Sequence, residues 1–315
     1  MTTLASTRER YGETLLSLGE RNPDVVVVGG DLNVSVCVAP FGRKYPDRFF
    51  DMGAAEQNMM SIAAGLASSG KIPFVSTFAV FASGRAFDQI RVGISQSNLN
   101  VKIVVTHSGL VTGEDGISAQ SIEDLALMCS LPSFNVIVPA DARETEQAVE
   151  AAVETHGPFY IRLSRPATEI VTPDDYQFNV GKAATLREGS DATIIACGIM
   201  TSAALRAAAT LADSGIQCRV LNMATLRPAD EEAIIRAATE TGAIVTAEEH
   251  LPHGGLGSIV ASVCAQHRPV PMKLVALPDG YAESGKPDEL LERYHLTPTD
   301  VEEAVRDVVR RKTSH

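Results

Sequence analysis

One short part of the chain combines a carboxylate with aromatic side chains, a set that can bind a flat, basic ligand. Glu56 lies in or near the first turn of an apolar segment, Gly53 to Leu66, and Phe78 and Phe81 follow across a turn. Aromatic residues make up only 5% of the chain, so two rings at this spacing favour a role in binding. Rings stack on the face of a heteroaromatic ligand while an acid hydrogen-bonds its edge. The pattern therefore predicts a site for a heteroaromatic ligand with a basic ring nitrogen.

A structural interpretation of Glu56 stays open on the residues alone. Acids are favoured at helix N-termini by about 0.3–1 kcal/mol because the helix dipole is positive there. Two features favour a ligand instead. The residues near Glu56 in sequence include no obvious cationic partner, and the small, apolar segment from Gly53 to Leu66 is typical of a helix buried on all sides. Gly70 and Pro73 are expected to end this helix.

The elements that must position these residues follow the alternation of an α/β sheet. The run Val25-Val26-Val27-Val28 is typical of a parallel strand covered on both faces. Helices are predicted over Thr7–Arg21 and Glu144–Thr155, and further strands near Phe49–Met52, Phe74–Phe78, Val101–Thr106, Val136–Val138 and Phe159–Leu163. Sheets of this kind bind ligands in the loops at the carboxyl ends of their strands.

The rhythm of helices and strands breaks between residues 166 and 190, where prolines and an acidic pair predict a linker. A first domain is therefore expected at 1–165 and a second at 191–315. Strands of the second are predicted at Ala192–Cys197, Cys218–Met223, Ala243–Ala247 and Met272–Val275, and helices at about Ser202–Asp213, Asp230–Glu240, Gly257–Ala265 and Thr299–Val309. The predicted fold class is α/β, with mainly parallel sheets.

Polar residues follow several of the predicted strands, and each has a structural alternative. Asp31 stands in a turn-rich Gly-Gly-Asp-Leu-Asn loop, so a turn and a binding loop are equally compatible with it. His107 ends a strand, where a lone histidine is commonly a hydrogen-bonded structural residue. The acidic loop Gly113-Glu114-Asp115-Gly116 has the composition of a solvated turn. Position alone does not decide among these alternatives.

Composition excludes several classes of function. The net charge of −12 argues against nucleic acid as a partner, although local arginines and helix N-termini can still bind phosphorylated substrates. No run of about 18 apolar residues predicts a membrane span. The first ten residues lack the apolar core of a signal peptide. The five cysteines are scattered without paired spacing, as expected of a cytoplasmic protein in a reducing compartment.

Four stretches together resemble the pyrimidine-binding domain of transketolases. They are Phe49–Gln57 (FFDMGAAEQ), Ser76–Phe81 (STFAVF), Thr106–Gly109 (THSG) and Gly113–Gly116 (GEDG). The resemblance covers nearly the whole chain but only the second half of a full-length transketolase. It implies the C-terminal subunit of a split transketolase, with two three-layer α/β/α domains of the thiamine diphosphate-binding fold.

The resemblance assigns roles to the residues at the cofactor. Glu56 would be catalytic, hydrogen-bonding the N1′ nitrogen of the aminopyrimidine ring of thiamine diphosphate. Phe78 and Phe81 would hold that ring, and Asp31 and Leu32 would line the cofactor cleft.

The resemblance also implies a sugar site. Arg8, Ser35, His107 and Arg165 match the residues that bind the phosphate end of the substrate, and Asp115 matches a contact to a hydroxyl of the donor ketose. His107 is in addition a candidate catalytic residue. The resemblance then implies an enzyme that moves a two-carbon ketol unit from a ketose, expected to be phosphorylated, to an aldose.

The sequence departs from the family pattern at three points. Ala119 stands where transketolases usually carry a histidine that handles the donor's oxygen atoms, and Gly84 replaces an aromatic that completes the ring stack. No Gly-Asp-Gly motif for the metal that anchors the diphosphate is present. The chain is therefore expected to hold no metal itself. An N-terminal subunit would hold Mg²⁺ or Ca²⁺, and the two would assemble as a heterotetramer.

Two other functions remain compatible with the sequence. One is the beta subunit of a 2-oxo acid dehydrogenase, which has a similar length and domain order. The other is a non-catalytic subunit that regulates another protein. Retention of Glu56, Phe78, Phe81 and Asp115 argues against the second, and Ala119 argues for some divergence.

Overall fold

Two sheets flanked by helices form the body of the computed structural model, which describes residues 3–313. The strands are β1 (Leu4–Ala5), β2 (Val25–Gly29), β3 (Phe49–Asp51), β4 (Ile72–Ser76), β5 (Lys102–Val105), β6 (Asn135–Ile137), β7 (Phe159–Arg162), β8 (Thr168–Glu169), β9 (Ala184–Arg187), β10 (Ala192–Ala196), β11 (Cys218–Asn222), β12 (Thr225–Arg227), β13 (Ile244–Ala247) and β14 (Met272–Val275).

The helices lie between these strands along the chain. They are α1 (Thr7–Arg21), α2 (Ala39–Lys44), α3 (Glu56–Ser68), α4 (Asp124–Cys129), α5 (Ala142–Glu154), α6 (Met200–Asp213), α7 (Glu231–Thr241), α8 (Leu256–His267), α9 (Pro287–Arg293) and α10 (Pro298–Thr313). Shorter helical turns are Pro46–Arg48 and Leu110–Asp115 of the 3₁₀ type and Phe81–Arg85 and Gln89–Ser95 of the π type. In the described part of the chain, none of the helices has the length and apolar character needed to cross a membrane.

The first sheet has seven strands in the order β12-β6-β7-β5-β4-β2-β3 and is parallel except at β12. Its strand β2 is fully buried because its valines meet helices on both faces. Side-chain caps fix the starts of two helices: Ser6 accepts from the Glu9 amide at the start of α1, and Asp141 accepts from the Glu144 amide at the start of α5. The α/β class predicted from the sequence is confirmed.

The second sheet has five strands in the order β14-β13-β10-β11-β9, and only β9 is antiparallel to its neighbour. Strand β12 leaves this half of the chain and pairs with β6 of the first sheet. The segment expected as a linker, 166–190, contains β9 and also β8, which pairs with β1. The two halves are thus joined by backbone pairing as well as by side chains.

Helix α3 differs from its prediction. It begins at Glu56, and it is not buried on all sides, because Gln57, Ser61 and Ile62 lie on an exposed face. Met59, Met60 and Ala63 supply the buried face. Small residues such as alanine are common on both buried and exposed helix faces. A helix rich in them can therefore look fully buried from its composition alone. After Phe81 the chain forms two π-helical turns, Phe81–Arg85 and Gln89–Ser95.

Candidate active site

The residues predicted to form a site lie at one edge of the first sheet. The strands β7, β5, β4, β2 and β3 are neighbours in the sheet and parallel, so their carboxyl ends share one edge. The loops that follow them carry, in that order, Arg165, His107, Phe78 with Phe81, Asp31 with Leu32 and Ser35, and Glu56. Topology therefore gathers residues that lie far apart in the sequence.

Arg8 reaches the same edge because α1 precedes β2 through a short connection and runs back along the sheet. The helix begins beside the strand ends, where the Thr7 hydroxyl donates to the Ser164 carbonyl at 3.4 Å. The Nη1 group of Arg8 donates to the Ser35 carbonyl at 2.8 Å, while its buried Nε has no hydrogen-bond partner within residues 3–313. Two residues predicted for the phosphate end are thus in direct contact, through the main chain of Ser35.

A stack of flat groups occupies the centre of the site. The Phe78 ring lies 3.8 Å from the His107 ring and 5.7 Å from the Phe81 ring, measured between centroids, and both pairs are nearly parallel. The Arg85 guanidinium lies 4.1 Å from the Phe81 centroid. Phe78 is buried and Phe81 is partly exposed, so Phe81 offers the more accessible ring to a ligand.

Glu56 has a cationic partner that lies far from it in the sequence, which the residues near Glu56 did not reveal. Its carboxylate is buried at 5% exposure, and its Oε1 atom accepts a hydrogen bond of 3.1 Å from Nη1 of Arg85. Arg85 follows Glu56 by 29 residues, and the π-helical turn Phe81–Arg85 brings it back to the start of α3. The Oε2 atom of Glu56 makes no hydrogen bond within the part of the chain described.

His107 is held in a neutral form by its surroundings. Burial is the main cause that lowers its pKa to about 3, and the positive charges of Arg8 and Arg165 act in the same direction. Its Nδ1 atom shares a hydrogen bond of 2.8 Å with the Thr106 hydroxyl, and its backbone has φ of 53°, which non-glycine residues rarely adopt. A neutral imidazole at pH 7 can donate or accept a hydrogen bond but carries no charge to a substrate.

Arg165 stands beside the acidic loop predicted to contact the donor. Its Nη1 atom donates to Oε2 of Glu114 at 2.9 Å and to the Thr112 carbonyl at 2.6 Å, and Nη2 lies 3.8 Å from Oδ1 of Asp115. The structure therefore brings Asp115 and Arg165 together. An anionic ligand at Arg165 would compete with these two exposed acids.

Asp31 and Leu32 lie in the loop after β2. Asp31 is exposed with φ of 69°, and Leu32 is half-buried against the core. Sequence analysis did not identify Asp51, which fixes this loop. Its carboxylate accepts from the amides of Asp31 and Gly53, each at 3.0 Å, and from Nδ2 of Asn33 at 2.6 Å. Its position two residues before the Gly53 turn was the available signal.

The two single-residue departures from the family pattern, Ala119 and Gly84, lie in different loops of the site. Ala119 is buried behind the acidic loop, where its amide donates to the Gly116 carbonyl at 2.9 Å. Gly84 is exposed, and a Cβ atom built there would meet no atom within 4 Å. A side chain at position 84 would therefore project into open space.

A cavity of about 470 Å³ opens beside Glu56, lined by Ala54, Ala55, Glu56, Gln57, Asn58 and Arg85. A buried carboxylate with one free oxygen and a half-exposed ring can bind the edge and the face of a basic heterocycle. Within residues 3–313, no cluster of three or more His, Cys, Asp or Glu side chains could hold a metal ion.

Comparison with known families matches both halves of the chain. The model described as "Transketolase, pyrimidine binding domain" matches residues 4–170, and "Transketolase, C-terminal domain" matches residues 181–301. A 6-deoxy-6-sulfo-D-fructose transketolase subunit of Clostridium sp. is 40% identical over 306 residues, which cover 97% of this chain and 95% of that one. One subunit of the apulose-4-phosphate transketolase of Phocaeicola vulgatus is 39% identical over 290 residues, covering 92% and 93%.

A solved structure has the same fold over its whole length. It is a split gene transketolase in the form of an inactive beta4 tetramer, 50% identical to this chain, with a TM-score of 0.91 and coverage of 98% of this chain and 99% of that one.

Proposed function

We propose that this chain, which belongs to the transketolase family and resembles its split-gene beta subunits, is half of a thiamine diphosphate-dependent transketolase. The enzyme would move a two-carbon ketol unit from a phosphorylated ketose to an aldose, in the cytoplasm. The observation that carries the proposal is the continuous set of contacts from Glu56 through Arg85, Phe81 and Phe78 to His107. These contacts connect Glu56, the acid expected at the cofactor, with His107, the histidine expected at the sugar.

The residues present fit the aminopyrimidine ring of thiamine diphosphate. Glu56 lines the cavity at the start of α3, and its Oε2 atom makes no hydrogen bond within the described residues. Phe81 is partly exposed, and a Cβ atom at Gly84 would meet no atom within 4 Å. When bound, thiamine diphosphate supplies a carbon nucleophile that can break the carbon–carbon bond next to a ketone. Glu56 contributes by holding a proton between its carboxylate and the ring nitrogen, an interaction strengthened by burial.

The sugar end of the site has the charge expected for a phosphorylated substrate. Arg8 has no acidic partner within the described chain, and its Nε remains unpaired, so it can receive a phosphate oxygen. Arg165 provides a second cation when its ion pairs with Glu114 and Asp115 are broken. His107, which is neutral, buried and stacked on Phe78, would hydrogen-bond the sugar. Asp115 is exposed beside them to meet a hydroxyl.

The diphosphate of the cofactor requires cations that this chain's sequence does not provide. No Gly-Asp-Gly motif is present, and a diphosphate needs a divalent metal to offset its charge. We therefore propose an N-terminal-half partner that holds Mg²⁺ or Ca²⁺, with two copies of each subunit in a heterotetramer. The inactive beta4 tetramer of the split gene relative supports a beta chain that self-associates. The names of the Clostridium and Phocaeicola relatives support a ketose substrate.

The deciding experiment compares this chain, its partner and the reconstituted pair with thiamine diphosphate and Mg²⁺, using xylulose 5-phosphate and ribose 5-phosphate. We expect turnover by the pair and none by this chain alone. Full turnover by the single chain would contradict the need for a partner. A pair that is inert with sugar phosphates but decarboxylates a 2-oxo acid would favour the dehydrogenase alternative, and a pair inert with both would favour a regulatory role.

A further inference from the structure

The second half of the chain reaches the acidic loop of the site through one buried carboxylate. Glu249 follows β13 and is 5% exposed, and its Oε1 atom accepts a hydrogen bond of 2.6 Å from the Val111 amide. Val111 lies in the 3₁₀ turn Leu110–Asp115, which carries Asp115 and contacts Arg165. The loop that faces the substrate is therefore attached to a different sheet from the one it follows.

The fit around this carboxylate is tight on the side of the loop. A Cβ atom at Gly109 would lie 2.3–2.5 Å from the carboxyl atoms of Glu249, so only glycine allows the approach. Gly109 also has φ of 73°, a conformation that favours glycine. The start of the loop is shaped to receive the carboxylate of Glu249.

The main chain of Glu249 is itself held in place by a buried ion pair between β7 and α4. Arg162 donates from Nη2 to the Glu249 carbonyl at 3.1 Å, and its Nε donates to Oδ2 of Asp124 at 2.9 Å. Arg162 ends β7, three residues before Arg165. Strand β7, which Arg165 follows, therefore also fixes the position of Glu249.

A second contact closes the far end of the loop. Nε2 of Gln120 donates to the Glu283 carbonyl at 3.1 Å, and a Cβ atom at Gly113 would lie 3.3 Å from the Gly285 carbonyl oxygen. Both partners precede α9 in the second half of the chain. The second half of the chain thus holds the loop at both ends. Within the described residues, Glu249 is the only carboxylate of that half that accepts a hydrogen bond from the loop.

We propose that Glu249 is a positioning residue, which fixes the loop Gly109–Asp115 so that Asp115 and Arg165 keep their places at the sugar end of the site. The catalytic part of this inference rests on the proposed function, whereas the anchoring of the loop does not. Glu248 provides a matched control. It is also buried, adjacent in sequence and a carboxylate acceptor, but it bonds the amides of Leu256 and Gly257 at the start of α8, each at 2.7 Å.

The test compares Glu249→Leu with Glu248→Leu by amide hydrogen exchange on the full chain. A buried amide that loses its acceptor costs about 1–3 kcal/mol, which corresponds to about five- to 140-fold faster exchange. We expect this loss over residues 109–120 in Glu249→Leu and over 254–260 in Glu248→Leu. Unchanged protection of 109–120 in Glu249→Leu would overturn the proposal. Glu249→Gln, which keeps an acceptor oxygen, should restore most of the protection.

Kinetics of the complex with its partner separate positioning from general stability. With xylulose 5-phosphate as donor, Glu249→Leu should raise KM more than it lowers kcat, and Glu248→Leu should change neither. Equal losses in the two variants would show a structural role only and refute positioning. If Glu249→Leu does not fold, Glu249→Asp, one methylene shorter, gives the decision by the same two readouts. If the wild-type pair is inert with sugar phosphates, the proposed function fails while the exchange data still decide the anchoring.

Discussion

The carboxylate of Glu56 and the guanidinium of Arg85 form an ion pair, 3.1 Å between Oε1 and Nη1, in which the acid is 5% exposed and the base 56%. Arg85 also covers the Phe81 ring at 4.1 Å. One side chain thus occupies both the acid and the ring that a heteroaromatic ligand would use. A ligand that stacks on this face of Phe81 and bonds Oε1 of Glu56 must move the guanidinium aside, whereas Oε2 makes no hydrogen bond within the described residues.

Replacing Arg85 by serine should tighten binding of thiamine diphosphate to the reconstituted pair. The ion pair is largely exposed on the arginine side, and such pairs contribute only about 0.2–1 kcal/mol, so the gain should be about fivefold or less. Titration calorimetry measures it directly. Arg91→Ser is the control, because Arg91 forms an exposed pair with Asp88 on the next turn. Weaker binding in Arg85→Ser would show that the guanidinium assists the cofactor instead of competing with it.

Replacing Glu56 by glutamine should reduce turnover by about 10²–10⁴-fold, the range typical of general acid–base catalysis. The amide is close in shape but cannot share a proton with the ring nitrogen as a carboxylate does. Exchange of the C2 proton of bound thiamine diphosphate, followed by NMR, should slow in parallel. Thermal unfolding of the variant should resemble that of Arg85→Ser, which breaks the same ion pair. Wild-type rates of C2 exchange in Glu56→Gln would remove Glu56 from the mechanism.

The strands, and the polar residues that follow them at one edge of the first sheet, could be predicted from the sequence, but two hydrogen-bond partners could not. The valine run of β2 and the polar residues after each strand are local signals, and they appear where expected. The pairing of Arg85 with Glu56 depends on a π-helical turn, which has no clear sequence pattern. The Glu249–Val111 bond joins residues 138 positions apart and depends on how the two sheets meet. The assigned roles of the site residues stay predictions.

His107 should make the chain less stable in acid. Its folded pKa is lowered to about 3, whereas an unfolded histidine titrates near 6.5, so below about pH 6.5 the unfolded chain binds a proton that the folded chain does not. Stability is therefore lost as pH falls through this window, by up to about 1.4 kcal/mol per pH unit from this residue. Urea unfolding at pH 6 to 4 should show a shallower slope of stability against pH in His107→Gln than in wild type.

The exposed His156 serves as the control for this experiment, since His156→Gln removes an exposed imidazole and leaves the buried His107 in place. Equal slopes in all three proteins would contradict the burial effect. The same pKa implies that His107 stays neutral in any assay near pH 7. The rate of the pair should then show no inflection from His107 between about pH 5 and 8, the range in which an unperturbed histidine titrates.

Ala119 should limit the use of ordinary ketose phosphates at the reacting end of the substrate. A methyl group cannot hydrogen-bond a donor oxygen, while Arg8, His107 and Arg165 remain for the phosphate end. The Ala119 amide donates a hydrogen bond to the Gly116 carbonyl, and the side-chain amide of Gln120 donates to the carbonyls of Leu110 and Gly113. These hydrogen bonds fix the backbone, so the loop does not depend on the side chain at position 119.

We therefore expect Ala119→His to raise kcat/KM for xylulose 5-phosphate by up to about tenfold, the value of one added hydrogen bond. The exposed neighbour, in Ser118→His, should give no gain and serves as the control. Steady-state kinetics of the reconstituted pair measure both variants. If the native pair already uses xylulose 5-phosphate as well as other donors and Ala119→His changes nothing, then Ala119 is neutral and donor choice is set elsewhere.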